Sequence, residues 1–323
     1  MFWIGVFFIA SIISVLIAEN KISALGIWRA YFLEPIILFF ILIARRAELK
    51  KTDLMWFLCL STFSISTLAI WQKFTGTLFP PSLIVEELGG RVTSFFTSPN
   101  AIGLYVAPVA PLMVYGIFKT KDKKKYLALL VLALLAILFS LSLGTWAALS
   151  VGLGVMFFAL GYKKIVAGVV ILAVVAAITL PVFSDKLQIK NRSGNNRLVL
   201  WSYTVNYLFS SPRNFIFGAG LRQWFEKVQK PVNDFKKIEP LIYPHDIFLN
   251  FWSEIGLFGM ISFCALYILA LQKIFLNKRD DIFLFVTMLA VVLVVAVHGL
   301  VDVPYFKNDL AMLWWILFSI IFI

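Results

Sequence analysis

Apolar runs of about 20 residues, the length that an α-helix needs to cross a bilayer, recur along the whole of this 323-residue chain. Hydrophobic residues make up 61% of the sequence and charged residues only 14%. A soluble domain is closer to half apolar and a quarter charged. The sequence therefore predicts an all-α polytopic membrane protein, organised as a single transmembrane domain over residues 1–323.

The hydropathy pattern predicts about ten transmembrane helices. They cover residues 2–18, 26–44, 54–71, 100–118, 126–141, 144–160, 165–183, 247–271, 282–301 and 309–323. Lys and Arg concentrate in alternate short loops, and loops of that kind face the cytoplasm. This alternation predicts a multi-pass protein of the cytoplasmic (inner) membrane with both termini in the cytoplasm. The first run lacks a basic start and a small-residue cleavage site, so we expect it to be a retained span.

Two longer loops fall on the extracytoplasmic side, at about 72–100 and about 184–246. The larger loop is rich in Lys and Arg, and long loops are exempt from the positive-inside bias. We therefore expect a cationic outer face, with a helix over 197–209 lying in the membrane interface. The formal net charge of +12 is no nucleic-acid signal in a chain whose charges are divided across a membrane. The expected partners include the lipid bilayer and exclude nucleic acid.

The stretch 244–259 places one of only two histidines, His245, at the mouth of an apolar segment. Asp246, Asn250 and Glu254 follow at intervals of four residues, so on a helix they share one stripe. A carboxylate inside a membrane helix costs about 2.5–3.5 kcal/mol on insertion scales. The stripe should therefore face protein or water. On its own, this pattern is equally compatible with a polar seam between packed helices and with a functional site.

Several familiar catalytic and cofactor motifs are absent from the sequence. It contains no P-loop, no GxGxxG with a following acid, no HExxH and no Asp-x-Asp on the outer side, and neither cysteine belongs to a Cys/His cluster. Because an oxygen-ligated metal site needs several converging carboxylates, we expect no metal and no cofactor. Arginine would then bind a phosphorylated substrate, because it stays charged and binds phosphate oxygens bidentately. The arginines predicted on the outer side are Arg91, Arg192, Arg197, Arg213 and Arg222.

His245 is the candidate for proton transfer on the outer face. An imidazole, with an ordinary pKa of about 6.5, suits acid–base work near neutrality. The other histidine, His298, lies deep in the ninth predicted span. The position of His245 at a helix mouth, beside an Asp246 carboxylate that could orient its ring, favours a catalytic or binding role over a structural one.

Four segments in a fixed order carry a family resemblance. They are Arg91 with Pro99-Asn100, the Arg-x-x-x-Trp of Arg197 and Trp201, the GAGLRQW that contains Arg222, and His245-Asp246 with nine residues before Gly256-x-x-Gly259. Together they resemble the O-antigen ligase and O-antigen polymerase superfamily of membrane glycosyltransferases, over about residues 85–305. A weaker likeness is HGLVDVPYF at the end of the ninth span.

This chain departs from the family pattern at two points. The family has Asn, Ser or Gln where Asp246 stands, and it commonly has Ser-Arg-Gly where this chain reads Ser142-Leu143-Gly144. That family arginine is thought to help hold the donor pyrophosphate. Either Arg91 or Arg222 takes over its charge, or donor binding is altered.

The resemblance implies a C-type glycosyltransferase-like fold and a metal-independent reaction on the extracytoplasmic side. A glycan would pass from a polyprenyl-pyrophosphate carrier to an acceptor hydroxyl on a glycan, lipid or protein. By the same resemblance His245 is the catalytic base and arginine stabilises the departing pyrophosphate. The candidate substrate-binding residues are Arg197, Arg91, Arg222, Asp246 and Asn100.

Other functions remain open at this point. A ligase and a polymerase would share the donor and differ only in the acceptor. A flippase or exporter of lipid-linked glycans would also need a cationic outer cavity and intramembrane acids such as Glu34 and Glu254, but it would need no base. A non-catalytic scaffold of envelope assembly is the third class, since Leu143 could mark a degenerate member.

Overall fold

In the computed structural model, residues 1–164, 166–168, 192–232, 240–279 and 281–323 are described. These residues form α-helices joined by turns and by short 3-10 and π segments, and they contain no strand. The all-α prediction is confirmed.

The helices follow the predicted apolar runs closely. They are α1 (Phe2–Ile17), α2 (Lys21–Ala44), α3 (Lys51–Thr75), α4 (Pro99–Lys119), α5 (Lys123–Ser140), α6 (Leu143–Ala159), α7 (Arg192–Phe209), α8 (Pro212–Phe217), α9 (Ile247–Leu276), α10 (Ile282–Gly299) and α11 (Asn308–Phe322). A π-helical segment at Arg29–Leu33 interrupts α2. The predicted seventh span, 165–183, lies almost entirely outside the described residues.

Five of these helices, α2, α3, α4, α9 and α10, are long and apolar enough to cross a membrane. The helices α1, α6 and α11 are also apolar but shorter. The chain is therefore a multi-pass membrane protein. The count of ten spans, the single-domain organisation and the orientation of the termini stay predictions.

The chain divides into two compact units. The first comprises Met1–Leu33, Phe157–Ile268 and Gly299–Val303. Its centre is a row of aromatic rings in which Phe7 contacts Phe32 and Phe251 at centroid distances of 5.3 and 5.5 Å. The ring of Phe263 continues the row, 4.1 Å from Phe251. These rings pack α1, the first part of α2 and the first part of α9 together.

The second unit comprises Glu34–Met156, Leu269–His298 and Pro304–Ile323. There α11 packs on the later part of α2 through aromatic rings, with Phe39 at 5.1 Å from Trp315 and 5.5 Å from Phe318. In the same unit α4 and α5 approach closely at Gly116. A Cβ at this position would overlap the ring of Tyr126. Small residues of this kind are what allow membrane helices to come together.

Candidate functional site

His245 lies in the first unit, in the loop that leads into α9. Its backbone adopts a left-handed conformation with φ of 56°, which is uncommon for a residue other than glycine. The indole Nε1 of Trp201 in α7 donates a 2.9 Å hydrogen bond to the carbonyl of Pro244. The residue before the histidine is thus hydrogen-bonded to α7, which fixes the position of the His245 backbone.

The imidazole of His245 pairs with Asp302 rather than with the adjacent Asp246. Its Nδ1 lies 3.2 Å from Oδ1 of Asp302, whose side chain is only 7% exposed. The same Oδ1 accepts a 2.9 Å hydrogen bond from the backbone N–H of Val303. With Nδ1–H donated to a carboxylate, Nε2 is the nitrogen that carries the lone pair. This arrangement suits a general base.

Asp246 caps α9. Its Oδ1 accepts a 2.8 Å hydrogen bond from the backbone N–H of Leu249, as an N-cap residue does. Burial raises the pKa of this carboxyl, and hydrogen bonds from the backbone of Leu249 and Phe248 act in the opposite direction. Asn, Ser and Asp are all favoured at N-caps. Asp246 can therefore cap the helix in the same way as two of the residues that the family has at this position, Asn and Ser.

The predicted polar stripe on α9 faces the interior of the first unit. Asn250 and Glu254 are 0% and 1% exposed. One carboxylate oxygen of Glu254, Oε2, accepts a hydrogen bond from the backbone N–H of Arg222. The backbone carbonyl of Glu254 accepts another from the hydroxyl of Ser14 in α1. The stripe thus joins α9 to α1 and to the segment that carries Arg222.

Helix α9 breaks at Gly256, where φ is 78° and ψ is 176°. A Cβ at this position would lie 2.5 Å from the carbonyl oxygen of Ile216, so only glycine fits. The sequence predicted a continuous helix here, and the close passage of α8 accounts for the difference. The indole of Trp252 donates a 2.7 Å hydrogen bond to the carbonyl of Phe215 at the same contact. At Gly259, by contrast, the atoms nearest to an added Cβ belong to the side chain of Ile255 in the same helix.

The Gly-x-Gly segment, residues 218–220, lies against the backbone of α9. A Cβ at Gly218 would lie 2.5 Å from the carbonyl oxygens of both Trp252 and Ser253. The amide of Ala219 donates a 2.7 Å hydrogen bond to that Ser253 carbonyl. The segment is therefore held on the side of α9 that carries Glu254, immediately before Arg222.

Arg197 lies in α7 and Arg222 in the segment 219–228, and these two parts of the chain pack on each other. Residues of α7 and of the segment 219–228 share a buried cluster. Its members are Leu200, Ala219, Trp224 and Val228. The guanidinium of Arg222 is on an exposed residue, and Arg197 is half-buried. Arg197 stands one helical turn before Trp201, so it lies on the face of α7 that contacts the loop of His245.

Tyr243 is a member of the site that the sequence reasoning missed. Burial raises its pKa well above the ordinary value, with further contributions from Tyr31 and Glu254, while the charge of Arg222 acts to lower it. The phenol therefore keeps its proton at neutral pH. Its place two residues before His245 was the only signal in the sequence.

Arg91 and Asn100 lie in the second unit and form a cluster of their own. Arg91 donates from Nε to the carbonyl of Ser140 at 2.8 Å and from Nη2 to Oδ1 of Asn100 at 2.7 Å. Burial lowers the pKa of the Arg91 guanidinium, which stays charged at any physiological pH. Ser140 is the last residue of α5 and stands just before Ser142-Leu143-Gly144. Arg91 therefore brings a cation to the turn where the family has its arginine.

No group of three or more His, Cys, Asp or Glu side chains within the described ranges is placed to hold a metal ion.

Residues 128–264 match a protein-family model described as O-antigen ligase. This range lies inside the region from about 85 to 305 for which the motifs predicted the resemblance, and it includes Arg197, Arg222 and His245. The predicted resemblance is confirmed. The match supports membrane glycosyl transfer of the ligase or polymerase type, with a lipid-linked glycan and an acceptor as partners. No curated protein matches the chain.

Proposed function

We propose that this protein transfers a glycan from a polyprenyl-pyrophosphate carrier to an acceptor hydroxyl at the outer face of the cytoplasmic membrane, with both of its termini in the cytoplasm. The observation that carries the proposal is the pairing of His245 Nδ1 with Asp302. That pairing leaves Nε2 as a proton acceptor in a loop that is hydrogen-bonded to α7, the helix that carries Arg197. A flippase has no use for such a base, so the pairing favours transfer over transport.

In the proposed reaction, Nε2 of His245 accepts the proton of the acceptor hydroxyl as its oxygen attacks the anomeric carbon. The bond from that carbon to the pyrophosphate oxygen breaks, and the carrier leaves with the electron pair as polyprenyl pyrophosphate. Arg197 and Arg222 stabilise the charge that grows on the leaving group. Asp302 stabilises the imidazolium that forms. A single displacement of this kind inverts the configuration of the anomeric carbon.

An apolar groove in the first unit supports a place for the carrier's isoprenoid tail. The groove has a volume of about 220 Å³ and lies between α1, α8 and α9. Its lining includes Ile13, Phe217 and Phe258, together with Ser14 and Ile255. The lining residue Ile255 directly follows Glu254, and the Glu254 carboxylate accepts a hydrogen bond from the backbone N–H of Arg222. We propose that the tail enters this groove while the pyrophosphate lies against the arginine.

The second-unit cluster has a separate proposed role. We propose that Arg91, oriented by Asn100, binds an anionic group of a substrate. Two of its guanidinium nitrogens donate hydrogen bonds to the carbonyl of Ser140 and to Oδ1 of Asn100. A guanidinium has five N–H donors, so others can bind a ligand. Its position at the Ser142-Leu143-Gly144 turn supports this assignment.

A transfer assay in liposomes tests the function directly. Purified protein receives a labelled polyprenyl-pyrophosphate glycan together with either a lipid acceptor or a second lipid-linked glycan. We expect the label to move to one acceptor with inversion, in the presence of a chelator as in its absence. Label on the lipid acceptor identifies a ligase, and label on the second glycan identifies a polymerase. An intact donor that crosses the bilayer unchanged would identify a transporter instead, and transfer that stops on chelation would contradict the metal-independent reaction.

Replacement of Asp302 by Asn tests the carboxylate that orients the base. The Asp302→Asn variant should transfer about 10- to 100-fold more slowly with little change in the KM of the donor, because a charge-assisted hydrogen bond is worth about 1.5–3 kcal/mol. Asp281→Asn is the matched control, since that carboxylate accepts backbone N–H groups at the start of α10 and an amide caps a helix equally well. Equal rates in the two variants would show that Asp302 does not support the base.

A further inference from the structure

Glu254 is a buried acid for which the proposed reaction has no direct use. It is 1% exposed, and its other oxygen, Oε1, makes no hydrogen bond to any residue that the structure describes. Membrane helices rarely keep an acid without a function. The backbones of Arg222 and Trp224 both donate to this carboxylate, and the contact of Oε2 with the backbone N–H of Arg222 indicates what that function is.

The backbone of Arg222 needs an external partner. Its φ of 60° lies in the left-handed region, which an arginine enters at a cost that glycine would avoid. The turn is closed by a 3.0 Å hydrogen bond from the amide of Gln223 to the carbonyl of Gly220. Within such a turn the amide of Arg222 points towards α9, and Glu254 receives it. The carboxylate thus stabilises a strained conformation at one particular residue.

Arg222 is exposed although the residues on either side of it are buried. Its neighbours Leu221 and Gln223 are 0% and 5% exposed. The buried carboxylate of Glu254 thus binds the backbone of an arginine that is itself exposed. An exposed guanidinium on a fixed backbone can bind an anionic ligand.

We propose that Glu254 is a positioning residue that holds Arg222 against the donor pyrophosphate by accepting its backbone N–H. The inference rests on the proposed function, because the ligand of Arg222 is the pyrophosphate of the donor. It also explains why the polar stripe of α9 continues as far as the break at Gly256. The acid occupies the last turn before the break, where α9 lies alongside residues 216–222.

Two substitutions of Glu254 separate the effect of its acceptor atom from the effect of its charge. Glu254→Gln keeps an oxygen that can accept the Arg222 amide and should leave the affinity for polyprenyl pyrophosphate within a few-fold of wild type. Glu254→Ala removes the acceptor and should weaken that affinity by about 10- to 100-fold. Equal losses in the two variants would overturn the proposal. Glu226→Ala is the control, since Glu226 pairs with Lys230 on the exposed side of the neighbouring segment.

A double-mutant cycle then shows whether Glu254 acts through Arg222. Binding of polyprenyl pyrophosphate is measured for wild type, Glu254→Ala, Arg222→Ala and the double variant in detergent, each checked for monodispersity. We expect Glu254→Ala to change the affinity by less than about threefold once Arg222 is already alanine. The same loss of affinity with arginine and with alanine at residue 222 would mean that Glu254 merely supports the fold. That result would overturn this inference and leave the proposed function standing. A wild-type protein that binds no polyprenyl pyrophosphate would instead overturn the proposed function itself.

Discussion

Replacement of His245 by alanine should slow glycan transfer by about 10²–10⁴-fold, which is the usual contribution of a general base. The donor should still bind, because the arginines assigned to its pyrophosphate are anchored independently of the imidazole. Arg222 is held through its backbone by Glu254, and Arg197 belongs to α7. Single-turnover transfer and donor binding, measured on the same preparation, give the two quantities separately.

A second substitution distinguishes a base from a structural histidine. In His245→Asn the side-chain amide can still donate to Asp302, so the contact across 57 residues is preserved, but the amide cannot accept a proton. We expect His245→Asn to be as slow as His245→Ala, and added imidazole to restore part of the rate in the alanine variant. Transfer by the asparagine variant at a rate close to wild type would show that the histidine only maintains the loop.

The general placement of His245 could be predicted because local rules govern it. An apolar run begins at residue 247, and the polar residue in front of such a run caps the helix. Asp246 does so. The stripe of Asn250 and Glu254 was predicted to face protein because carboxylates are costly in lipid, and both residues are buried.

The partners of these residues could not be predicted, because they come from distant parts of the chain. Asp302 follows His245 by 57 residues, and the sequence around it carries only a weak family likeness, at the end of the ninth predicted span. Glu254 accepts a hydrogen bond from the backbone N–H of Arg222. Because every residue except proline has a backbone N–H, the type of residue at this position does not reveal the contact. The break at Gly256 likewise depends on the close passage of Ile216, which hydropathy does not register.

Replacement of Arg197 by alanine should lower the maximal transfer rate by about 10²–10³-fold, as removal of one transition-state donor does in well-studied enzymes. The arginine lies one turn before Trp201, and the Trp201 indole is bonded to the residue that precedes the base. A cation on that face of α7 is well placed for charge that develops beside His245. Because this charge grows only as the pyrophosphate departs, the rate at saturating donor should fall more than the KM rises.

Arg213 provides the matched control for this prediction. It is an exposed arginine on α8, in the same predicted outer loop, so Arg213→Ala removes one positive charge from that loop without changing α7. We expect this variant to transfer at nearly the wild-type rate. Arg197→Lys should recover only part of the loss, since an ammonium cannot bind two phosphate oxygens in the planar, bidentate way of a guanidinium. Polyprenyl pyrophosphate, the proposed leaving group, should also inhibit Arg197→Ala less strongly than wild type. Equal rates for Arg197→Ala and Arg213→Ala would mean that the outer loop attracts the donor only through its overall charge, and that no single arginine stabilises the departing pyrophosphate.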